Sequence, residues 1–269
     1  MPLSHKQSGD PTTTYHQYTN GIIGGTLILG DCIDKMRCMP SRSVDFLLTD
    51  PPYLVNFRSR EGRSIANDKD GSWLQPVFTE VYRLLKPNSF AISFYGWTKV
   101  DEFMLAWRQA GFRIVGHLTF VKKYASSKSF LAYHHESAFL LAKGNPAKPA
   151  EPIGDVLEFR YTGNKLHPTQ KPVAPLRQLI RSFSKPGDVI LDPFAGSGST
   201  AVAAFLEKRE FLTIEKGSEL LEPRQSCACN RIEVLVRYDT SCREGTRHVR
   251  DGGANEIANP QSSCSGYCN

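Results

Sequence analysis

Short apolar runs that stop on an acid recur along the chain. Thr26 to Gly30 (TLILG) stops at Asp31 and Ser43 to Asp50 (SVDFLLTD) stops on a carboxylate, and runs of this kind predict parallel strands buried on both faces. Phe90 to Tyr95, Ile114 to Val121, Ser137 to Ala142, Asp188 to Leu191 and Glu210 to Glu215 predict further strands. Between them the apolar period changes. Trp73 to Leu85 places Leu74, Val77, Phe78, Val81, Leu84 and Leu85 at helical spacing, stopped by Lys86-Pro87. Thr98 to Ala110 closed by Gly111, Pro172 to Phe183 opened by its proline, and Thr200 to Glu207 also predict helices. Residues 54–72 hold neither period and predict a mobile loop. Strands alternating with helices define an α/β chain with a mostly parallel, doubly wound sheet.

Composition narrows this picture without changing it. The chain has 269 residues, 40% hydrophobic and 22% charged, enough for one large domain. No apolar run approaches the roughly 20 residues that cross a bilayer, so no membrane partner is expected. Residues 1–23 form a polar leader without the apolar stretch of a secretory signal, and the cytoplasm is the expected compartment. The net charge of +6 is uneven: residues 217–269 carry six Arg, no Lys and seven acids, leaving +7 on the body and favouring a polyanionic partner. Five of the seven cysteines (Cys227, Cys229, Cys242, Cys264, Cys268) fall in that same tail. Their spacings miss the paired C-x₂-C pattern of zinc sites, so no metal is expected and the tail reads as atypical and disordered.

In doubly wound sheets ligands bind beyond the carboxyl ends of the strands. Asp31, Asp50, Asp192 and Glu215 occupy such ends. Asp192-Pro193-Phe194-Ala195-Gly196-Ser197-Gly198-Ser199 turns from strand to helix with glycines spaced G-x-G, which lets backbone approach a bound group closely. Glu215, about 20 residues on, stands where an acid holds a ribose hydroxyl pair. An adenosine-containing cofactor fits both, whereas a Walker A phosphate loop is disfavoured because no Lys follows the glycines. At the other predicted cleft, Asp50-Pro51-Pro52-Tyr53 removes two backbone donors and leaves carbonyl acceptors beside a carboxylate. An amino group with two N–H donors suits that corner, and the Tyr53 ring offers a face for a planar base.

These segments, with His167-Pro168-Thr169-Gln170-Lys171-Pro172 between them, resemble the DNA amino-methyltransferases that move a methyl group from S-adenosylmethionine to adenine N6 or cytosine N4. The order, DPPY before FAGSG, resembles the permuted β-class. Gly30-Asp31-Cys32, Arg83-Leu84-Leu85-Lys86-Pro87 and His135-Glu136 add weaker similarity, and the likeness covers residues 24–216. It implies a seven-stranded sheet of the S-adenosylmethionine-dependent methyltransferase type. It also implies roles. Asp50, Pro51, Pro52 and Tyr53 would hold the target base. Asp31 with Cys32 would meet the cofactor adenine, Glu215 the ribose, and Asp192, Phe194, Ala195, Gly196, Gly198 and Ser199 the turn around it. His167, Thr169 and Lys171 would meet the methionine end, where Asp50 also borders the cofactor. Asp50 at the head of the tetrapeptide resembles the adenine-directed members.

Double-stranded DNA is the partner this implies, with a homodimer and a paired restriction endonuclease as further partners of the family type. The segment that would carry target recognition, residues 144–166, is short. Arg58, Arg60, Arg63, Lys122, Lys123 and Lys128 are therefore candidate DNA contacts, expected at phosphates more than at bases. Beyond Lys216 the likeness fades, with Glu222-Pro223 where the family continues a helix. A non-catalytic DNA-binding relative and a nicotinamide oxidoreductase remain open from the residues alone, and cofactor titration separates them.

Overall fold

The computed structural model describes residues 15–19, 23–55, 68, 70–125, 130–159 and 171–216. Within these the chain runs through β1 (Tyr15–Thr19), β2 (Gly24–Leu29), α1 (Cys32–Arg37), β3 (Val44–Thr49), α2 (Leu74–Leu84), β4 (Leu85–Phe94), α3 (Val100–Ala110), β5 (Arg113–Lys122), β6 (His135–Lys143), β7 (Val156–Phe159), α4 (Val173–Phe183), β8 (Val189–Asp192), α5 (Ser199–Leu206) and β9 (Glu210–Glu215). The described strands form one nine-stranded sheet in the order β1-β2-β9-β8-β3-β4-β6-β5-β7. Only β1 and β6 run against the rest, so the sheet is mostly parallel.

Two strands exceed the expected seven. β1 lies inside the polar leader and β7 inside the candidate recognition segment, both at sheet edges. Edge strands need not carry a continuous apolar run: β7 alternates exposed and buried positions over only four residues. The six-residue α1 is a further addition to the expected elements, being too short to show a helical period.

Alternation along the strands splits the core in two. Phe46 and Leu48 of β3 face α4 and α5, where Leu176, Leu179, Ile180, Val202 and Phe205 pack. Leu47 faces the other layer, with Met36 of α1, the α2 stripe Leu74, Val77, Phe78, Val81 and Leu84, and Phe103 and Trp107 of α3. The α2 stripe is the predicted one, and the helix ends a residue early because Leu85 leaves it for an extended backbone and pairs with Val44. A register shift between Val44 and Phe46 absorbs the exposed Lys86, Pro87 and Asn88, so β4 starts five residues before the expected Phe90. At the end of α3, Gly111 takes the left-handed conformation (φ 104°) and its N–H donates to the Arg108 carbonyl.

Helices α1 to α3 lie on one face and α4 and α5 on the other, so the winding reverses where β3 meets β8. Ligands bind at such a reversal, outside the carboxyl ends of the strands. Asp50 follows β3 there and Asp192 ends β8. Among the described residues no helix is long and apolar enough to cross a membrane.

Candidate active site

One half of the cleft is built at the ends of β2, β8 and β9. Leu29 and Glu215 are register partners, and the Gly30 N–H donates to the Glu215 carbonyl at 2.8 Å. Two carboxylates thereby share one rim. Asp31 caps α1 by accepting from the Ile33 N–H at 3.0 Å and meets Lys216 Nζ at 3.2 Å with its other oxygen. Glu215 accepts from the Gly196 N–H at 2.8 Å and from the Lys216 N–H at 3.0 Å. Gly196 (φ 49°) and Gly198 (φ 72°) both sit in the left-handed region, which lets the turn curl beside the β9 end without a Cβ penalty. Oxygen acceptors on two neighbouring strand ends, facing a turn that presents backbone, suit the hydroxyl pair and amino edge of an adenosine.

Two residues assigned to this half behave differently from expectation. The Cys32 side chain is buried with Met36 in the α1–α2 core, and burial first, then Asp31, pushes its thiol up to about 12. It is a protonated core filler. Asp192 is buried too, accepting from Thr49 Oγ1 at 2.8 Å and from the Phe194 N–H at 3.1 Å. Burial raises its pKa to about 7 against those bonds and a further one from Thr200. Asp192 thus braces the turn across the β3–β8 reversal, and Thr49 is a partner that sequence reading missed. Phe194 packs edge-on to Trp73 at 5.0 Å, Ala195 donates its N–H to the Ile214 carbonyl, and Ser199 opens α5 with its hydroxyl 3.0 Å from that of Ser197.

The other half gathers residues from three distant segments. Asp50 Oδ1 accepts from the Tyr53 hydroxyl at 2.7 Å, and Asp50 Oδ2 meets Lys171 Nζ at 2.8 Å. Lys171 also reaches Glu136 Oε2 at 2.6 Å and the Tyr53 hydroxyl at 3.0 Å. The second Glu136 oxygen pairs with Lys122. The Lys171 ammonium stands over the Tyr53 and Phe94 rings, 5.2 and 4.9 Å from their centroids. Burial raises the Asp50 carboxyl, with Lys171 opposing, and burial with Asp50 and Glu136 raises the Tyr53 hydroxyl well above its ordinary value. Burial would raise Glu136 as well, but Lys171 and Lys122 outweigh it and hold the carboxyl down to about 2. Burial disfavours a charged Lys171, yet Asp50 and Glu136 more than offset it and raise its pKa.

Lys171 therefore sits against Asp50 and Tyr53, the residues expected to hold the base, although the resemblance had linked it to the methionine end. Lys122 is corrected as a DNA contact, because it is buried and its ammonium is committed to Glu136. Lys123, one residue on, projects outward and meets Glu158 at 3.2 Å. Arg58, Arg60, Arg63, Lys128, His167 and Thr169 lie outside the described residues. Glu136 carried a weak signal, an acid near the start of one strand and a lysine at the end of the strand before it; in the sheet Glu136 is the register partner of Phe120, two residues before Lys122.

The sheet order and the acidic strand ends define a nucleotide-cofactor α/β fold of the methyltransferase type. The chain belongs to the DNA methylase family of N6/N4 type, whose family model matches residues 44–226. Over 210 residues it is 51% identical to YubD of Escherichia coli (strain K12), named as a methylase, covering 78% of this chain and 91% of that one. It is 28% identical over 255 residues to the DNA adenine methyltransferase YhdJ of the same organism, covering 79% and 84%. The PvuII cytosine-N4-specific DNA methyltransferase shares the fold with a TM-score of 0.61 at 16% identity, covering 81% of this chain and 93% of that one. Other solved structures of this fold are complexes with S-adenosylmethionine, the methyl donor the family uses. The chain is a DNA methyltransferase.

Proposed function

We propose that the chain methylates adenine at N6 in DNA, using S-adenosylmethionine, and that it follows the permuted β-class order. The observation that carries the reading is the Asp50-Pro51-Pro52-Tyr53 corner at the β3–β8 reversal, a carboxylate and proline-freed carbonyls beside an aromatic ring. When bound, the sulfonium supplies an already activated methyl, so the protein's task is alignment and exclusion of water. Asp31, Glu215 and the Phe194 to Gly198 turn would hold that cofactor.

Asp50 and the Pro51 carbonyl accept the two N–H groups of the target amine, which favours a pyramidal nitrogen with a localised lone pair aimed at the methyl. Flipping the base out of the duplex costs a few kcal/mol, partly offset by stacking on Tyr53. Asp50 at the head of the tetrapeptide, and the adenine enzyme YhdJ among the relatives, support adenine. Mass spectrometry of nucleosides from a methylation-deficient host expressing the chain tests this. N6-methyladenine is expected, and N4-methylcytosine alone would replace adenine with cytosine.

Specificity on this reading is short or relaxed, with phosphates supplying most of the affinity. Residues 144–166 are few for base readout, and β7 takes four of them. Neutralising Arg58, Arg60 and Arg63 together should weaken binding equally on all sequences and flatten its salt dependence.

A further inference from the structure

We infer that Glu136 is a positioning residue for methyl transfer, acting through Lys171 to aim Asp50; this rests on the methyltransfer reading above. An ammonium has three N–H donors. Those of Lys171 meet three acceptors, Asp50 Oδ2 at 2.8 Å, Glu136 Oε2 at 2.6 Å and the Tyr53 hydroxyl at 3.0 Å. The orientation of Lys171 is thereby fully specified, and two of its three partners belong to the base-holding corner. Glu136 is the third, and it anchors the ammonium from outside that corner.

Glu136 is committed to the lysines. One of its oxygens meets Lys171 and the other Lys122, so both point at lysines. Stability does not explain it. Buried ion pairs are often no better than apolar residues of similar size, so two lysines and an acid sunk beside Asp50 contribute little that packing would not. What they contribute is order: two ammoniums face two carboxylates, and Lys171, gripped by Glu136, fixes the Asp50 carboxyl and opposes the rise that burial imposes on it. The Tyr53 hydroxyl donates to Asp50 and lies 3.4 Å from Glu136, so the same acids set the ring that would meet the base.

Removing Glu136 alone would strand Lys122 as an unpaired buried charge and confuse structure with function. The test is therefore Lys122→Met with Glu136→Gln, which keeps the remaining Asp50–Lys171 pair neutral. The expected result is cofactor affinity, KM for DNA and melting temperature near the wild type, with kcat lowered about 10-fold to 100-fold because Asp50 is less well held. Glu136→Asp, which keeps the charge but shortens the reach, should lower kcat severalfold in the same way. Wild-type kcat in either variant overturns the inference, and so does a loss confined to KM or to cofactor binding. The wild-type chain measured alongside separates the two readings: if it forms neither methylated base, the methyltransfer reading fails and this inference with it.

Discussion

Asp50 and Glu215 both stand just beyond parallel strands, yet they are held by opposite means. Glu215 is gripped by backbone, through the N–H groups of Gly196 and Lys216, while the carbonyl of the same residue accepts from Gly30. Asp50 is gripped by side chains, through a tyrosine three residues away and a lysine from the far side of the chain. Backbone bonds follow from strand register and survive most substitutions nearby. A buried side-chain network depends on every member, since one deletion leaves another charge unpaired.

The largest effect should come from the side-chain half. Asp50→Ala is expected to lower kcat about 1,000-fold while cofactor affinity changes little, because the acceptor-holding group is lost and Lys171 loses one of its two carboxylate partners. Equal losses in turnover and cofactor binding, measured by single-turnover kinetics and titration, would erase the division between the halves.

Asp192, between the two halves, offers a test by pH. Its folded pKa, about 7, lies above the ordinary 3.8, so the folded chain binds a proton that the unfolded chain releases. Stability from this group is full at low pH and is lost as pH rises from about 4 to about 7, by up to about 4 kcal/mol. Asp192→Asn keeps an acceptor for Thr49 and Phe194 and should flatten that part of the denaturation profile. A profile with unchanged slope would show Asp192 to be ionised.

On the backbone half, Glu215→Ala should raise the cofactor dissociation constant about 10-fold, leaving kcat at saturation close to wild type, because an acceptor for the cofactor is lost while the base-holding corner is untouched. A collapse of kcat instead would mean that both halves work as one network. The smallest effect concerns Lys123. Lys123→Ala should weaken DNA binding by less than about threefold and lower the salt slope by roughly one ion. No change in slope would leave the β5 end without a role in DNA contact.

These two halves also differed in how far sequence reading reached them. The apolar runs before Asp31, Asp50, Asp192 and Glu215 placed four acids at strand ends, because buried parallel strands write themselves as uninterrupted hydrophobic stretches. Glycines spaced G-x-G beside one of those ends made the turn recognisable. Burial of Asp192 and Cys32 was not legible, since period and spacing do not say which way a side chain at a strand end turns. The Asp50–Lys171–Glu136 cluster was invisible for a different reason: its members are far apart in sequence, and it takes the order β3-β4-β6 to bring Glu136 towards Asp50 and the segment before α4 to add Lys171. Lys122 looked like a surface charge because composition cannot distinguish an exposed lysine from one sunk against an acid on the next strand.

Gly96, just past the end of β4, sets a boundary on how this enzyme could be remodelled. A Cβ there would stand 2.7 Å from the Tyr53 carbonyl oxygen and 2.8 Å from the Tyr53 Cβ, closer than real atoms approach. The floor beneath the tyrosine is thus the bare main chain of Gly96, which follows β4, set against the Tyr53 carbonyl and Cβ in the segment that follows the neighbouring parallel strand β3. Laboratory evolution toward a different acceptor would find the depth of this recess closed to variation. It would have to work by exchanging the groups that line the rim, and a saturation library at position 96 should return glycine.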